Sequence, residues 1–187
     1  MNKKYLLIGV SLLIISFSSC KNQKESKESF FPVLTIIKNQ VATVDSSVYA
    51  IRKIVIEDST TDTTFIRRED FANLAKDFLQ TPDISQKKLK KHYFESKFFD
   101  ESLRKVIITY TPDNETLELR RQEIHITPDQ GDGDKISTII MDKFISRKDS
   151  NIQKRLLWQM DDHFQVVTII QKPGEKERAK TIKVMWK

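Results

Sequence analysis

Asp161-Asp162-His163 is the place where the sequence sets carboxylates directly beside an imidazole, the pairing used for general acid and base work. The same tripeptide lies between Met160 and Phe164, where two alternating segments need a tight turn, and aspartate favours turns. The turn is therefore the preferred reading. TPDQGDGDK offers Asp129, Asp132 and Asp134 as hard oxygen donors for Ca²⁺. An EF-type loop needs ligands at alternate positions, a glycine at the sixth and a distal bidentate glutamate. Here the sixth position is Asp134 and no glutamate follows at the right distance, so a polar hairpin turn is expected. His92 and His125 stand without a cysteine or a second histidine at ligand spacing, and neither a metal site nor a cofactor is expected. The KKLKK run, Lys87 to Lys91, can meet phosphate groups, but no aromatic platform accompanies it. It reads as a solvated helix face, and no nucleic-acid partner is expected. Nucleophile elbows, phosphate loops and dinucleotide fingerprints are missing, and four glycines give the backbone little means of cradling a phosphate. A non-enzyme is expected, although carboxylates scattered over strands can assemble a glycosidase-like pair that sequence hides.

The remaining reactive group is Cys20, the only cysteine. Asn2-Lys3-Lys4 gives a cationic start, Tyr5 to Phe17 gives 13 mostly apolar residues, and Ser18-Ser19 places small residues before the thiol. This is the layout of a secretory signal, too short for a comfortable membrane span of roughly 20 residues. Three residues before the cysteine stands bulky Phe17, which does not suit ordinary signal peptidase. The stretch FSSC resembles a bacterial lipobox, in which the cysteine receives a diacylglyceryl group and the chain is cut just before it. The resemblance implies residues 1–19 as a cleaved lipoprotein signal peptide and Cys20 as the lipidation site. Each buried CH₂ of an acyl chain contributes about 0.8 kcal/mol, and two or more palmitate-like chains hold a protein on a bilayer. With no second thiol, disulfides within the chain are impossible. Lys21 stands where an aspartate would retain a proteobacterial lipoprotein at the inner membrane, which favours the outer membrane of the cell envelope.

Residues 20–29 continue as KNQKESKES after the cysteine, a composition that cannot bury enough surface to order itself and reads as a flexible tether. Removing residues 1–19 takes away Lys3 and Lys4 and lowers the formal charge from +6 to +4, a mild and dispersed excess. Residues 30–187 then form a single domain, without repeats or internal linkers, large enough to bury a core unaided by disulfides or metal.

Phe30, Val33, Leu34, Ile37, Val41 and Val44 recur at helical spacing, with Ser29 as a candidate cap. Tyr49 to Glu57 and Thr63 to Ile66 read as a hairpin around DSTTD. A second helix is expected over Arg68 to Gln80, stopped by Pro82, and a short third over Ser85 to Lys91. From Tyr93 the texture is β: 93–99, 103–110, 117–127, 135–147, 151–160, 164–171 and 178–186 are runs separated by turn signals. Connections this short force antiparallel pairing. Both faces of Phe164 to Ile170 are partly apolar, marking a central strand. The expected class is α+β: a meandering, strongly twisted antiparallel sheet of about seven to nine strands, with two helices from the N-terminal half packed on one face, in its concavity.

Lipobox, polar tether, two amphipathic helices and a β-rich second half with TPD, DS and QKP turns together resemble the small Bacteroidota-type lipoproteins. Asp58-Ser59-Thr60 and Asp62-Thr63-Thr64 resemble the short O-glycosylation signal of exported proteins from that phylum, although a hydroxyl-rich turn is the preferred reading. The resemblance implies an address and no activity. Three functions remain open at this point: a membrane-anchored binding or scaffolding module with an envelope protein as partner, a carrier of lipid or another apolar ligand between sheet and helices, and an envelope hydrolase with unrecognised carboxylates.

Overall fold

A computed structural model of the chain describes residues 29–128, 131 and 133–187. Cys20, the signal segment and the tether up to residue 28 lie outside them, as do Asp129 and Asp132.

Helix α1 (Val33–Asp45) buries Val33, Ile37 and Val44, which fall on one stripe of a 3.6-residue period. Pro32 precedes it, where its missing N–H costs nothing, and its carbonyl accepts the Ile36 N–H at 3.1 Å. Ser29 does not cap this helix; its hydroxyl donates to the Phe30 carbonyl instead. At the other end the Ser46 and Ser47 hydroxyls donate to the Ala42 and Val44 carbonyls.

The single helix expected over 68–80 is broken. A 3₁₀ turn (Arg68–Asp70) leads into α2 (Phe71–Leu74), and α3 (Lys76–Leu79) follows after Ala75, whose φ of −80° and ψ of 2° interrupt the helix. Phe71, Ala75 and Phe78 are nonetheless all fully buried. The kink lets Phe71 and Phe78 close on the same pair of rings, Trp158 and Phe164. The short third helix is α4 (Lys87–Lys90), within the expected span.

The strands are β1 (Ile51–Glu57), β2 (Thr60–Ile66), β3 (Tyr93–Asp100), β4 (Lys105–Pro112), β5 (Leu119–Thr127), β6 (Lys135–Ser146), β7 (Asn151–Gln159), β8 (His163–Gln171) and β9 (Arg178–Met185). Strand β2 starts at Thr60, earlier than its sequence suggests, because Asp58 adopts φ 52° and the turn closes on Asp58-Ser59. All nine pair antiparallel in one open sheet of order β2-β1-β9-β8-β7-β6-β5-β4-β3. Strands β3 to β9 form the expected meander, with β7 in the middle and β8 beside it. The β1–β2 hairpin does not continue into β3; it lies beyond β9, where Val55 opposes Ile182 and Lys53 opposes Val184.

That placement dictates where the helices go. The chain leaves β2 at one edge and must start β3 at the other, across eight strand gaps of about 4.8 Å each, roughly 38 Å. Residues 67–92 make the crossing and lay α2, α3 and α4 over one face. On that face Trp158 stacks on its cross-strand partner Phe164 at 5.2 Å, and Trp186 meets both. Phe71 and Phe78 close over them from the helices, edge-on to the rings of Trp186 and Trp158. All five rings are buried. The α1 segment is tied at two points: Phe30, just before the helix, packs on Tyr110 of β4 at 4.4 Å, and Gln40 within it exchanges two hydrogen bonds with Asp161 in the β7–β8 turn.

Candidate functional site: the outer face of the sheet

Side chains alternate across a strand, so whatever the helices do not cover points outward. In β5 that outward set is Arg121, Glu123 and His125; across the register lie Asp142 of β6 and then Arg155 of β7. They join into one ionic strip. Arg121 donates through Nε to Asp142 at 2.9 Å and through a terminal nitrogen to Glu123 at 3.1 Å. Arg155 approaches Asp142 at 3.8 Å, and His125 Nε2 pairs with Glu123. Beside this strip Ile107 opposes His125 and Ile140 opposes Glu123, and both are buried.

A bulge enriches one end. Leu119 opposes Lys143 while Arg121 opposes Asp142, so Arg120 is the extra residue on β5. Its guanidinium lies 5.2 Å from the ring of Phe144 on the outer face, a cation–π contact. Two consecutive arginines thus serve the same side. Beside them opens a groove of about 640 Å³ lined by Thr111, Asp113, Arg120, Phe144 and Gln153. Gln153 also borders a second groove of about 430 Å³, with Asp142, Arg155, Val167 and Ile169. Arginine and an aromatic ring are residue types enriched in protein interfaces. Under the first groove Tyr93 donates its phenol to the Leu119 carbonyl at 3.0 Å. Burial, assisted by the Asp113 carboxylate and opposed by Arg120, pushes this phenol up to about 12.

The residues that the sequence singles out are dispersed. Asp161 is a structural turn residue at φ 58°, bonded to Gln40, while Asp162 pairs with His163 at 2.9 Å. His92 pairs with Asp113 at 3.1 Å. Each histidine therefore faces a carboxylate. Among the described residues no three His, Cys, Asp or Glu side chains group as a metal site, and Asp134 lies exposed in its loop. Of the KKLKK run, Lys90 packs its ammonium over Phe30 at 4.8 Å. Ser59 and Thr63 are exposed, in the β1–β2 turn and on edge strand β2. Arg120, Arg121, Asp142, Phe144 and Arg155 carry no motif; the one sequence signal is the alternate charges of RRQEIHI.

No protein-family model matches the chain, and neither a curated protein nor a solved structure matches it. No described helix is long and apolar enough to cross a membrane.

Proposed function

We propose that the protein is a lipid-anchored binding or scaffolding module of a bacterial cell envelope, held on the outer membrane through Cys20, with the Arg120–Phe144 region of the outer face as its contact surface. The anchor follows from the FSSC layout and the polar tether that joins it to Phe30. The observation that carries the binding role is the contrast between the faces: five interlocked rings fill the helix side, whereas arginines, Phe144 and two open grooves occupy the outer side. The sheet is read as curled around its helices, an α+β half-barrel whose concavity serves as core. Arg121 pairs with the carboxylates of both Glu123 and Asp142, so each is engaged in an ion pair, which supports a recognition role.

A photoreactive residue at Gln153 is expected to give a discrete cross-linked protein adduct in cells. Arg120→Glu with Phe144→Ala should remove the adduct while leaving the fold intact by circular dichroism. Turnover of an envelope polymer or ester by the purified protein, lost in Glu123→Gln, would overturn the reading. Fractionation tests the anchor separately: Cys20→Ser should abolish the acyl mass, and an unmodified thiol in native material still carrying Met1 would refute it.

A further inference from the structure

Strand β3 occupies one end of the sheet, with β4 on one side and no described strand on the other. Its eight residues pair with β4 without a register shift, so the free edge is long and regular. Phe94, Phe98 and Phe99 are 66%, 52% and 54% exposed there. Regular, apolar edges are where chains add strands.

The sequence of this edge is chemically palindromic about Ser96: Tyr93-Phe94-Glu95 on one side, Lys97-Phe98-Phe99 on the other. The hydrogen-bond phase fixes which residues can reach a new strand. Asp113 N–H donates to the His92 carbonyl at 2.9 Å, and 92 opposes 113 in the same ladder that pairs Tyr93 with Pro112. Hydrogen-bonded pairs alternate along an antiparallel ladder, so Phe94, Ser96 and Phe98 direct their backbone groups toward β4. Tyr93, Glu95, Lys97 and Phe99 direct theirs outward. A two-fold pairing of two such edges must therefore match odd residues with odd residues. Centring on Glu95 sets Glu95 against itself, and centring on Lys97 sets Lys97 against itself. Centring on Ser96 sets Glu95 against Lys97 twice, Tyr93 against Phe99 twice on the same face, and Phe94 against Phe98 twice on the opposite face. The opposite edge, β2, reads TTDTTFI and offers no such charge match.

We propose that β3 is a homodimerisation edge: two copies of this chain pair β3 antiparallel about a two-fold axis at Ser96, extending one sheet through both copies. The occupant is a second copy because its own edge supplies the opposite charge at each charged position, which an arbitrary peptide does not. Dimerisation is independent of the outer-face contact proposed above, since Arg120 and Phe144 lie on interior strands β5 and β6.

The register has a direct readout. Ser96 and its symmetry mate form a non-hydrogen-bonded pair, with Cα atoms expected about 4.5 Å apart, within disulfide reach. In the full chain with Cys20→Ser, purified in detergent, Ser96→Cys is the only thiol and should oxidise to a covalent dimer under mild oxidant. Phe94→Cys, opposed by Phe98 and not by itself, should cross-link at least tenfold more slowly. Adding Glu95→Lys to Ser96→Cys should weaken dimerisation more than tenfold, and Glu95→Lys with Lys97→Glu should restore it. A Ser96→Cys chain that stays monomeric, cross-links that ignore the charge reversal, or thiol adducts formed with a different protein or only on lipid vesicles would overturn the proposal.

Discussion

The two faces of the sheet are built from the same strands and solve burial in opposite ways. On the helix side, Trp158, Phe164 and Trp186 interlock with Phe71 and Phe78, and apolar surface is removed from water by rings packed against rings. On the outer side, Ile107 and Ile140 are buried beside His125 and Glu123, while Arg121 pairs with Glu123 and Asp142. The difference separates tasks. Rings hold the helix side, and paired charges line the outer side.

The sharpest way to break this contrast is to remove a ring from each side. Phe164→Ala opens a cavity among fully buried aromatics and is expected to lose about 3–5 kcal/mol of stability, measured by urea unfolding. Phe144→Ala on the outer face should lose on the order of 1 kcal/mol or less in the same experiment. Equal losses would show that the outer face is as much a core as the inner. Next in size is Asp77→Ala. The Asp77 carboxylate takes a 2.6 Å hydrogen bond from Lys154 and ties α3 to β7, and its removal leaves a largely buried ammonium without its partner. About 2 kcal/mol should be lost. Lys154→Met together with Asp77→Ala should recover part of it.

Tyr93 supplies a pH signature on the helix side. Its phenol sits up at about 12 when folded, against 10.0 for the unreacted side chain in water, so the folded state holds the proton longer than the unfolded state does. The stabilisation is complete below pH 10 and is lost as pH rises through 12, a span worth on the order of 2 kcal/mol. Tyr93→Phe should flatten that alkaline decline, as read by unfolding at pH 9 and pH 11.5. The smallest expected effect belongs to the ionic strip. Arg121→Ala should cost about 1 kcal/mol or less at low salt and still less at high salt, because the guanidinium is partly exposed.

Much of the strand architecture is legible in the sequence because alternation is local. The runs from Tyr93 to Met185 hold their boundaries to within a few residues, since a period of two together with turn signals such as Asp161 and Gly174 leaves little freedom. The break at Ala75 carries no local mark. Alanine favours helix, and only the need of Phe71 and Phe78 to reach one ring pair bends the chain there. The pairing of β1 with β9 joins segments at opposite ends of the described chain, so no neighbouring residues announce it. The same holds for the outer strip: Arg121, Glu123 and His125 are visible as an alternating set, but Asp142 and Arg155 become their partners only through the register of β5, β6 and β7. Likewise YFESKFF shows its symmetry in the sequence, while its position at a free edge is a property of topology alone.

Native mass spectrometry of the protein extracted from membranes tests most directly whether the helix side is closed core and the outer face the surface that recognises. The expected spectrum contains only covalently attached acyl mass, with no additional apolar ligand. A stoichiometric lipid that is released on unfolding and is retained in Arg120→Glu with Phe144→Ala would contradict the account, because it would lie between the sheet and the helices, in the space assigned to Trp158, Phe164 and Trp186.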